Sequence, residues 1–233
     1  MVFLAAGAMF VVSALNSEGS DLRPDRSSDL SSVVSDERRD AEALQARVAQ
    51  LHADVQRLTS ELNDPVVDQA IAKVDELKAP AGLDPVTGQG LTITLADSPK
   101  SVAQTTSQPS RYLVVHQQDI QAVVNAMWIG GAKAVTIQGQ RVISTTGIKC
   151  SGNVVRLHGI PYGQPYVITA VGNQDTLFEA IMASHYLQIY RYQSALPDVQ
   201  IGWDLRLDDR LTAPGYDGTL DLTYAKPVPD PSG

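Results

Sequence analysis

The sequence predicts an α+β chain: an N-terminal (partial) transmembrane helix and a coiled-coil helix, followed by a ferredoxin-like split βαβ domain with added strands. Three patterns carry that expectation. Residues 1–15 form an uncharged apolar run, and apolar residues recur in heptad steps over residues 44–62. Beyond Gly82 the segments read strand–helix–strand–strand–strand–helix–strand, an order compatible with a split βαβ sheet carrying an added hairpin. The expected divisions are an anchor at 1–15, a polar juxtamembrane linker at 16–35, a coiled-coil or helical segment at 36–80, an extracytoplasmic α/β domain at 81–227 and a tail at 228–233.

The opening "MVFLAAGAMFVVSAL" is shorter than the roughly 20 apolar residues a spanning helix needs. No Lys or Arg precedes it, so neither a signal-peptide n-region nor a positive-inside flank is present. A signal peptide stays open, because "VSA" at 12–14 has small residues at a cleavage spacing. The reading adopted is that residues 1–15 are the end of a single-pass transmembrane helix. The following "NSEGSDLRPDRSSDLSS" is rich in Ser, Asp and Pro and suits a juxtamembrane linker.

Next, Leu44, Val48, Leu51, Val55, Leu58 and Leu62 fall at alternating steps of four and three. Val at a with Leu at d favours a parallel two-stranded coiled coil, because each side chain fits the facing hole best in that geometry. The flanking g and e positions (Arg47, Asp54, Glu61; Gln45, His52, Thr59) offer no charge pairing that fixes a partner. The expected partner is a second copy or another protein's helix, and an anchor holding two copies parallel raises their effective concentration. Pro65 ends the pattern, and "VVDQAIAKVDELKAP" reads as a second helix with Val67, Ile71, Val74 and Leu77 on one face.

In the C-terminal part, "GQGLTITLADSP" alternates Leu91, Ile93 and Leu95 with Thr92 and Thr94, as a half-buried strand does. After a polar loop and a short apolar stretch, a helix is expected from Gln117 to Ile129. Gly130 and Gly131 then supply the left-handed conformation common at helix C-termini. "KAVTIQGQRVI", "GNVVRLHGI" and "YVITAVG" read as strands. A helix follows over 176–183 and continues irregularly through "SHYLQIYRYQS", and "VQIGWDLRLDD" and "GTLDLTYAKP" close the domain.

Charge narrows the function. Lys and Arg number 18 against 26 Asp and Glu, a net charge of −8, most of it in residues 1–80. Nucleic-acid binding needs a basic footprint to neutralise phosphates, and none is visible. The lone Cys150 forbids an intrachain disulfide. There is no G-x-S-x-G elbow, H-E-x-x-H, C-x-x-C or G-x-x-x-x-G-K. No histidine spacing suggests a metal site, and no cofactor is expected.

The segments "GLTITLADSP", "YLVVHQQDIQAVVNAMWIGGAKAVTIQGQRVISTTGIKCSGNVVRLHGIPYGQPYVITAVGN" and "APGYDGTLDLTYAKP" together resemble the domain-of-unknown-function 881 family over roughly residues 40–227. The resemblance implies a membrane protein of Gram-positive bacteria, especially actinobacteria. It would have one N-terminal anchor, a coiled coil, and the α/β domain outside the membrane. In some genomes the genes of such proteins lie near cell-division or cell-envelope genes, and no activity comes with the resemblance.

Within the globular part, "HQQD" at 116–119 invites a catalytic reading, but Asp119 also suits the positive end of a helix, and helix start is the favoured reading. A polar rim of His116, Gln118, Asp119, Gln138 and Arg141 would bind a carboxylate or a sugar chain, or dock a protein. Tyr162 and Tyr166, in the Pro/Gly turn "GIPYGQPYV", are expected as an exposed partner surface. Trp128 and Trp203 are expected in the core. The function expected is a non-enzymatic, membrane-anchored extracytoplasmic scaffold that docks envelope or division proteins. The alternative is a ligand-binding or enzymatic domain acting on cell-wall material.

Overall fold

The structure is a computed structural model describing residues 26–62, 64–151, 154–218 and 220. The expected anchor lies outside those residues, as does the final strand reading at 218–227 apart from Gly218 and Leu220. Two compact units divide the chain, residues 1–40 and 41–233. Among the described residues no helix is long and apolar enough to cross a membrane.

Helix α1 (Arg26–Ser60) spans 35 residues. It takes in residues 26–35, where the sequence predicts a linker. Their five serines and Asp29 lower helix propensity, but from Arg26 through Ser60 there is no Gly or Pro to stop the turn. Helix α2 (Pro65–Lys78) starts where Asp64, in an extended conformation, accepts a hydrogen bond from the Val66 N–H at 2.8 Å, with Pro65 at the first helical position.

The globular part is α+β with antiparallel sheets. Its strands are β1 (Val86–Ala96), β2 (Ala134–Ile137), β3 (Gln140–Val142), β4 (Ile148–Ser151), β5 (Val154–Leu157), β6 (Ile160–Tyr162), β7 (Tyr166–Val171) and β8 (Gly202–Ala213). Five form one sheet in the order β3-β2-β7-β1-β8, and β4-β5-β6 form a second. Every pairing is antiparallel. The helices are α3 (Lys100–Ala103), α4 (Gln117–Ile129), α5 (Gln174–Ala183) and α6 (His185–Ser194). Leu91, Ile93 and Leu95 are 0% exposed and join Ile120, Val123 and Met127 of α4 and Leu177 and Ile181 of α5 in one core.

Two expected single strands are hairpins. "KAVTIQGQRVI" folds into β2 and β3, with Gln138 (φ 53°) and Gly139 (φ 79°) as the turn. Likewise β5 and β6 turn at His158 (φ 53°) and Gly159 (φ 87°). Positive φ at both central residues matches the right-handed twist of the strands it joins. The expected irregular helix after 183 is a clean break. Ser184 leaves the helical conformation (ψ 114°), closing α5 and capping α6.

Tyr162 and Tyr166 are not an exposed partner surface. Each is 2% exposed, because they belong to β6 and β7 and point inward, and only the turn between them faces solvent. Trp128 departs the other way: it sits at the end of α4 and is 40% exposed.

At Gly90 the β1–β8 register shifts, and a Cβ there would lie 1.9 Å from the Ala170 carbonyl oxygen. Gly90→Ala is expected to destabilise the fold by the upper part of the roughly 1–3 kcal/mol range for overpacked sites. Urea denaturation of the variant checks this. A midpoint equal to the parent's would mean the strands separate there at no cost.

Candidate functional site

The groove that assembles the most side-chain chemistry lies where β1 hands over to α4. After β1 the chain loops through α3 and a short 3₁₀ turn (Ser110–Tyr112) and returns beside the strand end. There Asp97 Oδ1 accepts from the Val115 N–H at 2.8 Å, and the Ser98 N–H donates to the Leu113 carbonyl at 2.9 Å. This places His116 as the residue before α4, with extended backbone angles (φ −105°, ψ 160°).

Asp119 closes the start of the helix. Its Oδ2 accepts from the His116 backbone N–H at 2.7 Å, satisfying a donor that helix geometry leaves free. Its Oδ1 accepts from the Tyr186 hydroxyl at 2.7 Å, which ties the first turn of α4 to the first turn of α6. The carboxylate is only 6% exposed, so both bonds are made in a largely dry setting. The His116 Nε2 lies 2.8 Å from the Arg111 carbonyl, so Nε2 carries the proton and donates.

Around this cluster is a cavity of about 260 Å³, lined by Tyr112, Val114, Tyr186, Ile189, Tyr190 and Gln193 among others. Tyr112, Val114, Tyr186 and Ile189 are each 38–46% exposed. The Tyr190 hydroxyl donates to the Gly202 carbonyl at 3.2 Å, fixing its ring as a wall. Burial, the bond to Asp119 and the Asp119 charge together raise the Tyr186 hydroxyl's pKa above the ordinary tyrosine range. The groove therefore offers aromatic faces beside the Arg111 guanidinium and the engaged Asp119 carboxylate, suited to a chain-like or planar partner. Among the described residues no group of three or more His, Cys, Asp or Glu is placed to hold a metal ion.

With this geometry in view, the family pattern described as "Bacterial protein of unknown function (DUF881)" matches residues 73–226. The chain belongs to the DUF881 family. It is 29% identical over 180 residues to the UPF0749 proteins MT1871 and Rv1823 of two Mycobacterium tuberculosis strains, covering 75% of this chain and 57% of each relative. It is 35% identical over 96 residues to the UPF0749 protein YlxW of Bacillus subtilis, covering 41% of this chain and 40% of that one. The chain thus spans little more than half the length of the Mycobacterium relatives it matches. A crystal structure of an uncharacterized conserved protein from Mycobacterium tuberculosis is 20% identical, with a TM-score of 0.49, and covers 67% of this chain and 99% of that one.

In this DUF881 domain the rim residues read from sequence fall in different places. His116 and Asp119 share the tyrosine-walled groove. Gln118 lines a separate cavity of about 500 Å³, together with Gln121, Asn125, Ala122, Ala126 and Ala180 among others. Gln138 is occupied within the fold: its Nε2 donates to the Gly163 and Pro165 carbonyls at 3.1 Å, and its Oε1 accepts from the Val167 N–H at 3.0 Å. Arg141 is 4% exposed and donates from Nη1 to the Asp84 carbonyl at 3.0 Å and the Pro214 carbonyl at 2.8 Å. Cys150 meets the helix start, with its N–H donating to Gln117 Oε1 at 3.3 Å and its Sγ accepting from the Gln117 N–H at 3.2 Å. Sequence reasoning missed Tyr112, Tyr186 and Tyr190. The available signal was the four-residue spacing of Tyr186 and Tyr190 after Ser184, which puts both rings on one face of a capped helix.

Tyr186→Phe removes a bond to a largely buried carboxylate and should cost about 1.5–3 kcal/mol. Alkaline pH gives a second check. Burial, aided by the Asp97 and Cys150 charges, pushes the Tyr166 hydroxyl up to about 12, and Tyr186 is raised as well. A raised tyrosine pKa favours the neutral, folded form. This stability is fully present below the ordinary value of about 10 and is lost as pH rises through the folded-state values. Urea midpoints measured from pH 8 to 12 should fall above pH 10, and less steeply in Tyr186→Phe than in the parent.

Proposed function

We propose that this chain is a membrane-anchored extracytoplasmic docking protein without catalytic activity, working as a parallel dimer in cell-envelope or cell-division assembly. The observation that carries this reading is the seam on α1 and just beyond it. Leu44, Val48, Leu51, Val55, Leu58 and Leu62 are each 40–68% exposed. A stripe of this kind loses free energy to water until another apolar face covers it, and a second copy brings the same heptad register. The Val-at-a, Leu-at-d order favours the parallel arrangement, which an anchor at the chain start also imposes.

The groove supports docking over chemistry, since both oxygens of its carboxylate are already engaged within the fold. The globular part is read as a ferredoxin-like split βαβ sheet carrying β3 to β6 as additions. Without those strands the order is β2-β7-β1-β8, with α4 linking β1 to β2 and α5 and α6 linking β7 to β8. The extracytoplasmic placement rests on the apolar residues 1–15, the polar segment after them and the family resemblance. The exposed faces of Tyr112 and Tyr186 support a second reading, in which the groove takes a cell-wall sugar chain.

Sedimentation velocity tests the dimer. The native chain should sediment as a dimer at micromolar concentration. Leu51→Glu, which buries an uncompensated charge in the seam, should weaken association by about 3 kcal/mol or more. A native chain that stays monomeric under those conditions sinks the self-association reading. A fluorescent fusion tagged before residue 1 tests the setting in growing cells. Enrichment at division sites or growing poles is the expected outcome, and an even distribution around the cell would remove the division role.

A further inference from the structure

Arg141 lies on the short edge strand β3, opposite Thr136 of β2, and so leaves the sheet on the face away from Val135 and Ile137. Its side chain is 4% exposed, yet among the described residues no carboxylate pairs with it. Among the described residues Nη1 is used twice, on the Asp84 and Pro214 carbonyls, while Nε is buried with no acceptor and Nη2 makes no hydrogen bond. A guanidinium stays charged at any physiological pH. Two carbonyl dipoles return only part of the desolvation cost of a buried charge.

Beside it is a cavity of about 470 Å³ lined by Arg141, Lys133, Trp128, Ser144, Ile143 and Gly82 among others. Gly82 (φ 77°) keeps the space next to the guanidinium open. A Cβ there would meet Ile143 Cγ2 at 2.9 Å and Arg141 Nη2 at 3.5 Å. Lys133 is exposed and among the described residues has no ion pair, so the cavity carries two cationic side chains and no acidic one. The α2 carbonyls of Leu77 and Lys78, just before the cavity-lining residues 79–82, are taken by the Ala81 and Leu83 N–H groups. Their capacity to repel an anion is reduced. The half-exposed Trp128 forms an aromatic wall.

We propose that this cavity binds an oxyanion, a carboxylate or phosphate group. Arg141 Nη2 and the Lys133 ammonium are its donors, and the Trp128 indole is the surface against which the rest of the ligand lies. Uncompensated charge, open space and a second cation converge there. An anion completes the hydrogen bonding that the fold leaves unfinished at Arg141.

The test is an amide and indole NMR titration of the 233-residue chain with sodium phosphate and, separately, sodium acetate. Ionic strength is held constant with sodium chloride. Saturating shifts at the Trp128 indole N–H and the Gly82 N–H are expected, with a midpoint on the order of millimolar for so small a ligand. Saturation with acetate alone assigns a carboxylate, with phosphate alone a phosphate, and with both an oxyanion site that does not discriminate. Lys133→Gln, a surface change, should weaken binding about two- to fivefold. Arg141→Lys should abolish it, and if that variant does not fold, Lys133→Gln decides alone. Shifts that grow linearly and match those in chloride overturn the proposal, as does an unchanged midpoint in Lys133→Gln.

Discussion

The burial of one row of side chains, Leu91, Ile93 and Leu95, on a strand paired along both edges is the constraint from which the globular part follows. β1 is antiparallel to β7 on one side and to β8 on the other, so a slip of one residue would turn its whole apolar row to the wrong face. The fully buried row receives α4 and α5, and the strand's end at Ala96 decides where the chain must turn back to begin α4. The tyrosine-walled groove stands at that turn. Its position is a consequence of strand register before it is a matter of chemistry.

Among the described residues two charged side chains are buried within this frame, and the fold treats them differently. Asp119 is answered on both oxygens, by a backbone N–H and by the Tyr186 hydroxyl, at the end of a helix whose dipole favours a negative charge. Its role is explained by joining α4 to α6. Among the described residues Arg141 is answered on one nitrogen only. Its two carbonyl acceptors belong to the segments that enter β1 and leave β8, so it also fastens the ends of the domain's longest strand pair. A residue in that position is under structural demand whatever ligand it meets.

The long helix follows the opposite rule from the domain. The domain hides its apolar rows, whereas α1 carries its heptad residues in the open, with the exposed ion pairs of Arg57 to Glu61 and Asp54 running along its surface. Such exposed pairs stabilise a helix only by tenths of a kcal/mol each, too little by themselves to offset the cost of ordering 35 residues. The seam pairing proposed above would add the apolar burial that these pairs lack.

Sequence by itself determined the elements whose signal is periodic and local. The α4 span from Gln117 to Ile129, the glycine stop, the inward row of β1 and the helical course of the segment after residue 36 all follow from side-chain spacing and backbone preference within a dozen residues. Tertiary structure alone decided which distant residues meet. Tyr162 and Tyr166 flank a Pro/Gly turn and look exposed, yet neighbouring strands and the core cover them. Gln138 and Arg141 look like one polar rim with His116, yet hydrogen bonds to Pro165, Val167, Asp84 and Pro214 claim them elsewhere. Tyr186 reaches Asp119 across 67 positions of sequence. The physical reason is the same in each case: periodicity encodes which face of an element is apolar, whereas a side chain's partner depends on how elements far apart in the chain pack.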